Sequence, residues 1–258
     1  TGIKFDNGTV GTVTRGLLIQ GCDFTAIGRM GFEFINHTYD DTARYFDIRV
    51  IGNRFYQLGQ AEQYGQAVSF SGMGQNVTVS NNTIDNARDI AIEVIGPHDV
   101  SVTSNVIRNL QSACDGIYHG KPPSATDKPS RIVIVGNTIE SNAGFSLQIA
   151  NVDVGSVSGN AVTGTGKVSI ESCDSIAMSN NNFGVTNQIL ITGCTAMTGA
   201  GNRYKCMGTT AGYRPTITNT TLSAFSGCVF ESEQSTGLLV DGTSANNVFS
   251  ACIFSNEN

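Results

Sequence analysis

Ten times along the chain, an asparagine or a cysteine stands two positions before a bulky apolar residue, and alternating apolar residues run ahead of most copies. The segments are LLIQGCDF ending at Phe24, IRVIGNRF at Phe55, VTVSNNTI at Ile84, SVTSNVI at Ile107 and IVIVGNTI at Ile139. They continue with SVSGNAV at Val162, IAMSNNNF at Phe183, MTGAGNRY at Tyr204, FSGCVF at Phe230 and FSACIF at Phe254. Successive copies lie 31, 29, 23, 32, 23, 21, 21, 26 and 24 residues apart. A basic period of 21–24 residues, lengthened here and there, describes a coil that can grow its loops but not its strands.

A second strand follows each turn, usually eight to ten residues after the apolar anchor, as in DIAIEVIG, FSLQIAN, VSIESC, QILITGC and GLLVDG. Side chains alternate along a strand, so Ile92, Leu147, Ile170 and Ile191 point inward. Their neighbours Glu93, Gln148, Glu171 and Thr192 then point outward. No segment carries a sustained 3.6-residue apolar period, so helices are few and short. Leucine-rich repeats share the period but need several Leu per copy, and this chain uses Val, Ile and Phe instead. The expected fold is all-β, a right-handed single-stranded parallel β-helix of about ten rungs spanning residues 1–258 as one domain, a piece of a longer chain.

The turn position supports the same register. It is occupied by Cys22, Asn53, Asn82, Asn105, Asn137, Asn160, Asn181, Asn202, Cys228 and Cys252. Stacked Asn side chains can hydrogen-bond from rung to rung, and Asn tolerates the left-handed backbone of a sharp corner. These residues are read as a corner ladder with no catalytic role. The cysteines number seven; three occupy the ladder, and Cys173 and Cys194 stand one 21-residue period apart. No Cys/His metal spacing is present, so reduced thiols and no metal are expected.

Composition sets outer limits. Residues are 40% hydrophobic and 14% charged, and the formal charge is −6 with a pI near 5.0. That balance argues against nucleic acid as the partner. No apolar run reaches ~18 residues, so no membrane span is expected.

The rung pattern from Leu17 to Phe254 resembles the pectate-lyase-like right-handed parallel β-helix superfamily. Within it the chain most resembles bacteriophage tailspike depolymerases. That resemblance implies a homotrimer on a virion or outside the cell, which binds and cleaves a bacterial surface polysaccharide of capsule or O-antigen type without a cofactor. Calcium-dependent pectate lyases are a poorer match, because no Asp-rich calcium cluster is visible. The GPHD at residues 96–99 only partly matches an epimerase-type motif and is read as a turn.

A glycosidase needs two carboxyl groups, about 5 Å apart for retention or roughly 6.5–9.5 Å for inversion. Rungs ~4.8 Å apart supply such spacings directly. Asp89 and Glu93 flank the strand RDIAIEV, and Asp115 opens the matching strand CDGIYHG of the next rung. These three are the candidate catalytic residues. Arg88, Tyr118, His119 and Glu33 are the candidate substrate-binding residues, with Glu33 outward two rungs earlier. Two insertions, residues 56–66 and 120–130, are expected to frame the cluster. Asp40 and Asp41 are read as a loop turn, and Glu62 as able to reach over the site from its insertion. The favoured chemistry is glycoside hydrolysis. The alternatives are a lyase acting on a uronate-containing glycan and a non-catalytic receptor-binding shaft or adhesin.

Overall fold

The computed structural model describes residues 1–6, 13–36, 42–61, 64–111, 114–141, 144–208, 210, 213–233 and 236–256. The secondary structure of these residues is strand throughout, arranged in three parallel sheets that wind as a right-handed β-helix. Each coil contributes one strand to each sheet, except that the first places two short ones, Thr14–Arg15 and Leu18–Gln20, in the second. The coil of Glu93 runs from Ile92–Ile95 in the first sheet, through His98–Thr103 in the second, to Val106–Arg108 in the third. The sequence pattern reveals all three segments but groups them as a strand, a turn and a later second strand. The corner asparagine in fact separates the second sheet from the third, and the "second strand" is the first sheet of the next coil.

The ten apolar anchors form one column. From Phe24 to Phe254 each pairs with the next in the third sheet. Several aromatic rings along it stack nearly parallel: Phe24 on Phe55 at 4.7 Å, Tyr204 on Phe230 at 4.8 Å and Phe230 on Phe254 at 5.4 Å. These separations are close to the rung spacing, so a ring in one coil meets its copy with no rearrangement.

The ladder beside them is continuous from Asn53 to Asn202, and its members are all buried. From Asn82 onward, each Asn side-chain oxygen accepts two hydrogen bonds from the Asn one coil earlier. Asn105 donates its backbone N–H and its side-chain amide to Asn137 Oδ1, both at 3.0 Å. Asn137 Nδ2 in turn donates to Val102 O at 2.9 Å and to Asn160 Oδ1 at 3.0 Å. The cysteines close the two ends: Cys22 N–H donates to Asn53 Oδ1, and Asn202 Nδ2 reaches Cys228 Sγ. The left-handed backbone lies one residue earlier than expected. Asn81, Ser104 and Asn180 have φ of 56°, 56° and 52°, and Gly52 and Gly136 take the same place at 65°. The ladder residue itself keeps an ordinary backbone, which leaves its side chain aimed into the stack.

A second ladder runs along the corner between the first and second sheets. Cys173, Cys194, Thr220 and Ser244 donate to the carbonyls of Ile149, Ile170, Ile191 and Ile217, each about one coil back. Thiols and hydroxyls are interchangeable here because both are small donors. All seven cysteines are free thiols.

Candidate functional site

The outer face of the first sheet carries one row of side chains from coil to coil: Lys4, Glu33, Ser69, Glu93, Tyr118 and Gln148. Strict alternation produces it, since the residues on either side of Glu93, Ile92 and Val94, are buried and apolar. Rungs ~4.8 Å apart place the backbones of Glu33 and Glu93, two coils apart, about 9.6 Å from each other. Ser69 lies between them and donates its hydroxyl to Glu93 Oε2 at 2.6 Å. Glu33 is 3% exposed and lies 3.7 Å from Arg29 Nη1 and 4.0 Å from Lys4 Nζ.

Asp89 and Asp115 lie where adjacent coils turn into the first sheet. Asp115 N–H donates to Asp89 O at 3.1 Å, which stacks one above the other. Asp115 Oδ1 accepts the Phe145 N–H at 2.6 Å, so this carboxyl is oriented by backbone. Gly144 makes that approach feasible. A Cβ there would come 2.5 Å from Asp115 Oδ1, and its φ of +73° suits glycine.

The electrostatics of the cluster run one way. Burial raises the Asp89 carboxyl above its usual value, and the Asp115 charge raises it further. Burial likewise raises Asp115, against the Phe145 hydrogen bond. Glu93 is raised chiefly by burial, opposed by the Ser69 hydroxyl and reinforced by Asp89, Glu33 and Asp115. Asp89 and Glu93 thus feel the carboxyls beside them, and all three groups hold protons more tightly than in water. Tyr118 is raised by burial and then by Glu93, Glu171 and Asp115. Its hydroxyl leans along the strand over Gly120, 2.7 Å from where a Cβ would stand.

Arg88 donates to Gly59 O at 3.1 Å, and Gly59 and Gly65 close over its Cβ with no room for side chains of their own. Gly59 and Gly65, both in the insertion at 56–66, therefore pack on Arg88, next to Asp89. The insertion at 120–130 leaves from the opposite, C-terminal end of the first-sheet strands and runs toward the second sheet. It borders the row at Tyr118 and Gly120 rather than at the aspartates. Asp40, Asp41 and Glu62 lie outside the described residues.

His119 must be corrected. It is fully buried, in register with Val94 and Ile149, and points into the core, where substrate cannot touch it. Neither ring nitrogen has a hydrogen-bond partner among the described residues, and burial pushes its pKa down to about 3. The neutral form is what the fold holds. Above pH ~6.5 both folded and unfolded chains carry it neutral. Below that the unfolded chain takes up a proton that the fold refuses, so stability is lost as pH falls from about 6.5 toward 3. Each tenfold weakening of proton affinity is worth about 1.4 kcal/mol, so the loss reaches several kcal/mol. His119→Leu is expected to raise the thermal midpoint more at pH 5 than at pH 8. Equal gains at the two pH values would remove this account.

Ser69 and Gln148 do not stand out as site residues in the sequence. The signal is present, because VSFS and LQIA align with FEFI and IEVI, but neither residue is ionisable. Glu171 accepts from the Ser169 hydroxyl and lies 3.5 Å from Gln148 Nε2, extending the polar face.

Comparison with solved structures places this geometry among known folds. PfbA, a surface adhesin of Streptococcus pneumoniae, is similar with a TM-score of 0.61 and 10% sequence identity. The similarity covers 94% of this chain and 72% of that one. At such identity it speaks for the fold. No curated protein matches the sequence. The family described as "Right handed beta helix region" matches residues 1–183, well over half of the chain. Three parallel sheets, a ten-rung anchor column and that match together make this chain a member of the right-handed β-helix family.

Proposed function

We propose that the outer face of the first sheet binds a bacterial surface polysaccharide and hydrolyses its glycosidic bonds. The observation that carries the reading is the trio of Asp89, Glu93 and Asp115 on adjoining coils, each holding its proton above the ordinary carboxylate range. Glycoside hydrolysis needs one carboxylic acid to protonate the leaving oxygen and one carboxylate to act as base or nucleophile. Glu93 suits the acid, because burial and three neighbouring carboxyls all favour its protonated form. Asp89 and Asp115 suit the second role, with Asp115 oriented by the Phe145 N–H. Tyr118, in register beside Glu93, offers a ring face to a sugar, and Arg88 and Glu33 border the site. The row climbs the stack, so an extended glycan would run along the helix axis.

The resemblance to tailspikes supports a homotrimer on a virion or outside the cell. That an adhesin shares the fold keeps a non-catalytic receptor-binding shaft or adhesin as the competing reading. The deciding assay incubates the protein with capsular or O-antigen polysaccharide and follows reducing ends and absorbance near 235 nm. Reducing ends alone support hydrolysis. Both signals together replace it with elimination on a uronate. Retention on immobilised glycan with neither signal replaces it with a binding shaft. Sedimentation of the same sample gives the chain number.

A further inference from the structure

A second constellation lies where the first sheet hands over to the second, apart from the carboxylate row. At the start of the second sheet, Phe46, Gln75 and His98 stack in register, and Ser130 continues the column by accepting the Asp99 N–H at its carbonyl. The residue after each, Asp47, Asn76, Asp99 and Arg131, is left-handed, with φ of 54–60°. This repeated irregularity re-aims the side chains around it, as a bulge does.

His98 and Ser130 meet there. Ser130 Oγ is 2.9 Å from His98 Nδ1, and the Ser130 N–H donates to the same nitrogen at 3.2 Å. A backbone N–H can only donate, so Nδ1 carries the lone pair and the hydroxyl proton is directed at it. Arg131 Nη1 donates to Ser130 Oγ at 3.2 Å. The Arg131 guanidinium is clamped in turn on both oxygens of Asp99, next to His98. Gln75 Nε2 also donates to Asp99 Oδ2 at 2.9 Å. Hydroxyl, base, cation and carboxylate thus occupy two adjacent coils. Beside them is a shallow hollow lined by Thr126, Asp127, Lys128 and Asp153.

We propose that Ser130 is a nucleophile and His98 its base, forming a second hydrolytic site that cleaves short-chain carboxylic esters of polar, hydroxyl-rich alcohols. A nucleophile within hydrogen-bond reach of a base of fixed tautomer is the arrangement that acyl transfer needs. Ser130 Oγ attacks the ester carbon as its proton passes to Nδ1. The C–O bond to the alcohol then breaks, and the alcohol leaves with that proton. Water attacks the acyl-serine, gives a proton to Nδ1, and Ser130 leaves with it as the carboxylic acid is released. Arg131 Nη1, on Ser130 Oγ at 3.2 Å, is assigned to the charge that grows on the ester carbonyl oxygen, and Asp99, the residue after His98, to the imidazolium formed at each step. The hollow is polar and shallow, which fits a small acyl group on a sugar-like alcohol and excludes a long acyl chain. This site stands independently of the glycosidase reading.

The test uses the full chain. A fluorophosphonate probe is expected to add once, on Ser130, by intact mass and peptide mapping. Ser130→Ala is expected to abolish the adduct and to lower p-nitrophenyl acetate hydrolysis by about 10²–10⁴-fold, the range for a positioned catalytic group. His98→Asn is expected to abolish labelling while Ser130 is still present. Peptide mapping of the wild-type chain needs no variant to fold. No adduct on Ser130 in the folded protein, or ester hydrolysis undiminished in Ser130→Ala, overturns the proposal.

Discussion

Asn137→Ala is expected to destabilise the protein by ~3–6 kcal/mol, as judged by the denaturant midpoint and slope, because it strands several buried polar groups at once. The side chain makes four hydrogen bonds, accepting two from Asn105 and donating to Val102 O and Asn160 Oδ1. Removing it leaves the Asn105 N–H, one Asn105 amide hydrogen and the Val102 carbonyl without that partner in a dry corner. Each buried group so stranded costs about 1–3 kcal/mol, more than the bond itself contributes when intact. The cost should fall on the middle of the stack, since a solenoid's stability is built from interfaces between neighbours. Asn182→Ala, one residue past a ladder position and exposed, is the control and should change little. A shift for Asn137→Ala no larger than that of the control would mean that the ladder is ornament and that the anchors alone hold the register.

Glu93→Gln is expected to lower polysaccharide cleavage by about 10²–10⁴-fold while leaving glycan retention intact. Glutamine keeps the shape and can still accept from Ser69, but it has no acidic proton to give. The direction of the carboxyl shifts also fixes the pH profile. Glu93 is protonated below its raised value, so activity should fall as pH rises through it. The partner carboxylate, also raised, must lose its proton, so activity should fall again on the acid side, at a higher pH than ordinary carboxylates would give. In Ser69→Ala the alkaline limb should move upward, because the hydroxyl that favours charged Glu93 is gone. Asp89→Asn and Asp115→Asn complete the series. Full activity in all of these variants, with folding intact, would place any chemistry elsewhere.

Much of the fold is legible in the sequence because a parallel stack repeats one local rule. The column from Phe24 to Phe254 can be read from spacing alone, since each anchor needs only its copies above and below. The same alternation places Glu93 and Tyr118 outside. It also places His119 inside, two residues after Ile117, and there residue type misleads. A neutral imidazole can replace an apolar side chain, at the cost of its affinity for a proton. The left-handed corner residue is easily assigned one position late, because asparagine occupies both places in the rungs of Asn82 and Asn181. The loops are the least legible part. Nothing in residues 120–130 says which end of a strand they leave from, so their neighbours cannot be inferred. The Ser130–His98 contact spans 32 residues and two coils, and no periodicity in the sequence announces it.

The rungs of Asn160, Asn181 and Asn202 follow one another at 21-residue steps without any insertion. Coils joined in series, each making the same handshake with the next, behave like identical links in a chain. Such a segment can gain or lose a whole link while the two ends keep their own surfaces. Height is then a dimension that evolution, or an engineer, can adjust without redesigning anything that faces the solvent near the top.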